Sequence, residues 1–136
     1  MSYWRPPTER HVNRPTSMYA DLDFWVALLK DDDWLATRAE QRLAEFDGQL
    51  EASLATFIEL FLVEERYSFD REQAIVAILE LAEVDVEEDL LFQASEYVAD
   101  GLNTFDAFHA ALAGDAILSS DGAFDDIAIE RVRLEE

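Results

Sequence analysis

Apolar residues recur along the chain at two spacings, and the switches between them mark out short strands alternating with helices. Tyr19-Ala20-Asp21-Leu22 reads as a strand, with Asp23 capping a helix Phe24 to Lys30. Its FWVALL run is apolar on all sides, which predicts burial. Asp31-Asp32-Asp33 makes a turn and caps a second helix, Trp34 to Phe46, with Leu35, Ala39, Leu43 and Phe46 inward and Asp47-Gly48 ending it. Gln49 to Ser53 is a second strand. Leu54 to Tyr67 then shows a helical pattern rich in aromatic and branched residues. Asp70 with Gln73 opens a helix ending near Glu83, with Ile75, Ile78, Leu79 and Ala82 inward, and Val84-Asp85-Val86 is a minor strand. Glu87-Glu88-Asp89 charge the first turn of a helix that runs to Asp100 and stops at Gly101.

The most informative stretch runs from Asn103 to Asp126. Asn103 and Asp106 form a capping-box-like helix start, the Ala-rich run Ala107 to Ala113 suits close packing, and Gly114 stands just past the helix end. Ala116-Ile117-Leu118-Ser119 reads as a short, fully buried strand, and Asp121 falls beyond its carboxyl end. Ala128 to Leu134 alternates Arg131 and Arg133 against Val132 and Leu134, as an edge strand does. Strands alternating with helices argue for an α/β fold with a doubly wound, mostly parallel sheet covered on both faces.

Composition narrows the class without naming a chemistry. With 136 residues, half of them hydrophobic, the chain can build one core. Residues 1–17, MSYWRPPTERHVNRPTS, hold all three prolines and no usable period. They are expected to be a disordered leader ahead of a domain 18–136, with Met18 a candidate start. No apolar run approaches the ~20 residues a membrane span needs, and no signal peptide is visible, so a cytoplasmic protein is expected. The absence of cysteine excludes disulfides and thiolate metal sites. The net charge is −21, with one lysine, Lys30, against nine arginines. Because the acids are interleaved with apolar periodicity and form no block, the charge reads as a halophile's surface, tolerable where the screening length shrinks to ~3 Å in molar salt.

Four acids stand out from that background. Glu59 has Ala55, Thr56, Leu62 and Val63 as its helical neighbours, which places it on an apolar face; a lone carboxylate buried there needs a basic or metallic partner. Asp21 ends the first strand, although capping or turn duty is the default for any such Asp. Asp106 starts its helix and Asp121 follows its strand, and open α/β sheets bind ligands at that edge. Asp21, Glu59, Asp106 and Asp121 have the chemistry for one or two Mg²⁺ or Mn²⁺ ions, hard cations that prefer carboxylates and water. Two such ions ~4 Å apart can activate a water and stabilise the leaving oxygen of a phosphodiester. His109, one turn beyond Asp106, reads as a structural histidine or as a partner of Asp106 or of a substrate phosphate. Asp125 and Asp126 read as loop acids, and His11 carries no weight.

At these residues the chain resembles the PIN-domain nucleases, and among them the small VapC-type ribonuclease toxins of toxin–antitoxin pairs. The match covers Met18 to the C-terminus. YADLDF matches the family's opening, with the first acid at Asp21 and an accessory position at Asp23; TFIELF places the second at Glu59, FDAFHAALA the third at Asp106, and ILSSDGAF the fourth at Asp121. Ser119 occupies the small hydroxyl position that often accompanies the last. The usual Thr or Ser after the first Asp is Leu22 here. The resemblance implies a PIN-like three-layer α/β/α sandwich with a central sheet of four or five strands. It also implies Mg²⁺- or Mn²⁺-dependent hydrolysis of single-stranded or loop RNA, homodimerisation, and inhibition by a small antitoxin protein. A chain of this charge should repel RNA; divalent ions, arginines such as Arg38, Arg42 and Arg66, and salt screening would offset that. Two alternatives remain: a non-catalytic interaction module on the same fold, and a haloacid-dehalogenase-like phosphotransferase built on Asp21-Leu22-Asp23, for which Lys30 is the sole candidate lysine.

Overall fold

Each helix-forming stretch becomes a helix, and most begin on a side chain that answers the unpaired amides of a first turn. The computed structural model describes residues 17–30 and 34–136, in the order β1 (Met18–Tyr19), α1 (Leu22–Leu29), α2 (Ala36–Glu45), β2 (Leu50–Ala52), α3 (Leu54–Tyr67), α4 (Arg71–Leu81), β3 (Glu83–Val84), α5 (Glu88–Ala99), α6 (Thr104–Ala113), β4 (Ala116–Ser119), a 3-10 turn (Gly122–Asp126) and β5 (Glu130–Arg133). The readings of residues 1–16 as a leader, of His11, and of Asp31-Asp32-Asp33 as a turn and cap lie outside the described residues. Asp70 accepts from the Gln73 amide, Asn103 accepts from the Asp106 amide, and Ser53 with Thr56 forms a reciprocal capping box at α3. Gly114 closes α6 at φ 77°, a conformation that a residue with a Cβ adopts only with strain.

The protein is α/β, and every strand pairing is parallel. Met18 lies opposite Leu50 and Glu51 opposite Glu83, giving a three-stranded sheet in the order β1-β2-β3, while Leu118 opposite Val132 builds a separate two-stranded sheet from β4 and β5. The continuous sheet expected from the alternation is thus divided in two among the described residues.

Three local expectations are corrected. Strand β1 ends at Tyr19, and Asp21, not Asp23, caps the first helix, its Oδ1 accepting from the Leu22 amide at 2.8 Å. Strand β4 is not buried: Leu118 is 66% exposed. The alternation in β5 does not carry through to burial: Arg131 turns inward, its side chain 4% exposed, while Val132, Arg133 and Leu134 all face solvent.

The main core gathers Trp25, Leu50, Phe57, Leu60, Ile75, Ile78 and Leu91. Phe61 of α3 meets Phe108 of α6 at 4.9 Å between ring centroids, fixing those two helices against each other. The alanines expected to allow close packing do so: Ala107 and Ala110 are fully buried in a second cluster with Tyr97, Leu102, Phe124 and Ile129. Arg71 ties three helices together. Its guanidinium donates to Glu64 of α3 and to the hydroxyl and carbonyl of the buried Ser95 on α5, and it lies 5.5 Å from the Phe61 ring centroid.

Candidate functional site

The four acids singled out by sequence occupy four different local settings. Asp21 stands two residues past β1, exposed, with one carboxylate oxygen given to its capping bond. Asp121 stands two residues past β4, also exposed, with Oδ1 accepting from the Ala123 amide at 2.9 Å. Asp106 is half-buried in the first turn of α6, where Oδ2 accepts from the Asn103 amide nitrogen at 3.0 Å. The helix or turn that follows holds the Asp21 and Asp121 carboxylates in place, the Asn103 side chain holds that of Asp106, and in each case one oxygen is left outside the contact.

Glu59 departs from its expected setting, because it is exposed. Helix α3 is apolar on more than one side, and the stripe it buries is Thr56, Phe57, Leu60 and Phe61. Leu62, counted as part of an apolar surround for Glu59, is itself 52% exposed. The carboxylate therefore meets water and has no need of a buried partner.

Ser119 has a defined task. Its hydroxyl accepts from the Asp121 amide at 2.9 Å, shaping the turn that presents Asp121. His109 is exposed on α6. Asp23 is exposed in the first turn of α1.

The residue sequence reasoning undervalued is Arg131. Its Nη1 donates to the Ser119 carbonyl at 2.9 Å, and Nε and Nη2 reach both oxygens of Asp125 at 2.8 and 3.0 Å. This bidentate fork closes the loop from Ser119 to Asp125 around Asp121. The hydrogen bonds from Arg131 hold the Asp125 carboxyl below its usual value, against a smaller opposing effect of burial, and Asp125 in turn raises the affinity of Arg131 for its proton. Asp125 is therefore an anchor and not a loose loop acid. The available signal was an arginine between two acids six residues upstream and four downstream, Asp125 and Glu135, in a strand too short to waste a donor fork.

Four carboxylates suit a hard divalent cation in kind. In position they do not yet form a ligand set: among the described residues no three His, Cys, Asp or Glu side chains lie close enough to hold a metal ion. No helix among the described residues is long and apolar enough to cross a membrane. No family model matches the chain, and no curated protein or solved structure is significantly similar to it.

Proposed function

We propose that this chain is a PIN-like endoribonuclease that hydrolyses RNA phosphodiester bonds with Mg²⁺ or Mn²⁺, as the toxin of a toxin–antitoxin pair, with Asp21, Glu59, Asp106 and Asp121 as its acids. The observation that carries the reading is topological. Asp21 and Asp121 each follow the carboxyl end of a parallel strand, the edge at which open α/β sheets bind ligands. Strands β1 and β4 each have an unpaired edge among the described residues; joining those edges would make one five-stranded parallel sheet and bring the two aspartates side by side. Glu59 and Asp106 belong to α3 and α6, the helices locked by Phe61 and Phe108.

Ionised carboxylates gathered in one pocket repel one another, so a divalent cation is expected to stabilise the chain on binding. RNA cleavage is measured in high KCl with Mn²⁺, comparing the wild type with Asp106→Asn, alongside melting with Mn²⁺ and with EDTA. The expected result is cleavage by the wild type alone and a higher melting temperature with Mn²⁺. Equal cleavage by both proteins, or no cleavage and no thermal shift, overturns the reading.

The spread of the acids favours one other reading, a non-catalytic interaction module. It is supported by the exposed apolar strip of Leu118, Val132 and Leu134 along β4 and β5. In that case RNA is left intact, and the protein is held by a partner through that strip.

A further inference from the structure

Residues 18–136 carry only seven cationic side chains, and they are not spread evenly. Arg71, Arg131 and Arg133 are engaged in ion pairs elsewhere in the fold. The remaining four, Lys30, Arg38, Arg42 and Arg66, converge on the outer side of α1, α2 and α3. One cleft of ≈ 390 Å³ is lined by Leu22, Trp34, Val63, Arg66 and Tyr67, and a smaller one of ≈ 160 Å³ by Phe24, Ala27, Arg38 and Arg42. Asp23 and Leu35 line both, so the two run together as one groove.

The groove also gathers aromatic surface. Trp34 is 87% exposed, which leaves a large apolar face in water. Tyr67 lines the same cleft, with the Lys30 ammonium 5.0 Å from its ring centroid. Arg38 and Arg66 make no ion pair among the described residues, and the Arg42 contact with Glu45 is an exposed pair of small energetic weight. An exposed indole and a phenol flanked by guanidinium groups are the parts of a single-strand nucleic-acid track: cations follow the phosphates while bases stack on the rings. The track leads toward the candidate acids, because Leu22 adjoins Asp21 and Val63 lies one helical turn from Glu59.

We infer that this groove binds single-stranded RNA, with Trp34 and Tyr67 stacking bases and Arg38, Arg42 and Arg66 contacting the backbone; the choice of RNA rests on the nuclease reading above. Asp23, which lines both clefts, offsets part of the positive charge, so stacking carries more of the binding than phosphate contact does.

The test is binding of a short fluorescein-labelled oligoadenylate to the full chain in EDTA, followed by anisotropy across a KCl series. Trp34→Ala weakens binding about tenfold, and Trp34→Tyr restores most of it. The pair Arg38→Gln and Arg66→Gln lowers the magnitude of the slope of log affinity against log salt by ~1.4. A wild type that does not bind, variants that bind like the wild type, or a duplex of the same length bound equally well overturns the groove. The two readings fail separately: groove-dependent binding without cleavage under any divalent ion sinks the nuclease and leaves the groove, whereas cleavage unaffected by the Trp34 and arginine changes sinks the groove and leaves the nuclease.

Discussion

Replacing Arg71 tests whether one guanidinium holds three helices together. Its side chain is 17% exposed and that of Glu64 19%, and Ser95, which takes two of its donors, is 1% exposed. Arg71→Ala leaves the Ser95 hydroxyl without its donor in a buried setting, a loss of about 1–3 kcal/mol. The contact with the Phe61 ring adds roughly 0.5–1 kcal/mol, and the half-buried pair with Glu64 a similar amount. Because these share one side chain they do not add fully, and the expected cost is about 2–4 kcal/mol. Arg71→Lys keeps the charge beside Glu64 but cannot reproduce the fork on Ser95, so it falls between wild type and alanine. Urea unfolding at fixed KCl, fitted with a common m-value, reads these differences. The decisive arm is the cycle with Ser95→Ala. Removing the hydroxyl as well removes the orphan, so the double variant should be about 1 kcal/mol more stable than the sum of the singles, and the helix preference for alanine cancels within the cycle. A cost for Arg71→Ala below about 0.5 kcal/mol, or a coupling energy of zero, refutes the reasoning.

Two other predictions concern charge. Asp125 has its folded pKa lowered by the hydrogen bonds from Arg131, so its contribution to stability is complete above the unfolded value of 3.8 and is lost as the pH falls through the lower folded value. Wild type should therefore melt above Asp125→Asn at neutral pH, with the gap closing as the pH drops below about 4; a gap that persists unchanged into stronger acid refutes the assignment. A net charge of −21 should make the melting temperature climb with KCl, most steeply over about the first few tenths molar, where the screening length shortens fastest. A melting temperature flat across that range would mean that self-repulsion is not a significant cost.

What could be read from the sequence was what is decided locally. Helix α3 runs from Leu54 to Tyr67 as its periodicity predicted, and α6 starts on Asn103 and stops at Gly114, because caps act within one turn of the residue that makes them. The same locality explains the error at the first helix: two aspartates, Asp21 and Asp23, stood near its start, and either could cap. Glu59 failed for a different reason. A helix with Phe57, Ile58, Leu60, Phe61, Leu62 and Val63 has apolar residues around most of its circumference, and only its neighbours decide which stripe is buried. In β5 the alternation of arginines and apolar residues did not tell Arg131 from Arg133; the acceptors Ser119, Asp125 and Glu135 decided that Arg131 turns inward.

The candidate chemistry shows the same division between local and assembled properties. A strand's carboxyl end is a local fact, so the positions of Asp21 and Asp121 followed from the pattern, whereas their separation depends on whether two sheet edges meet. Net charge misleads in the opposite way, because it averages over the surface. A chain of −21 looks unfit to hold RNA, yet of its seven cations beyond the first seventeen residues three line one groove with Trp34 and Tyr67, and a fourth, Lys30, lies over the Tyr67 ring. An RNA strand feels charge over about a Debye length, ~8 Å at physiological ionic strength and ~3 Å in molar salt, so the higher the salt, the more the local cluster outweighs the total. In the proposed complex the same screening weakens the arginine contacts themselves and leaves stacking on the exposed indole as the part of binding that salt does not remove.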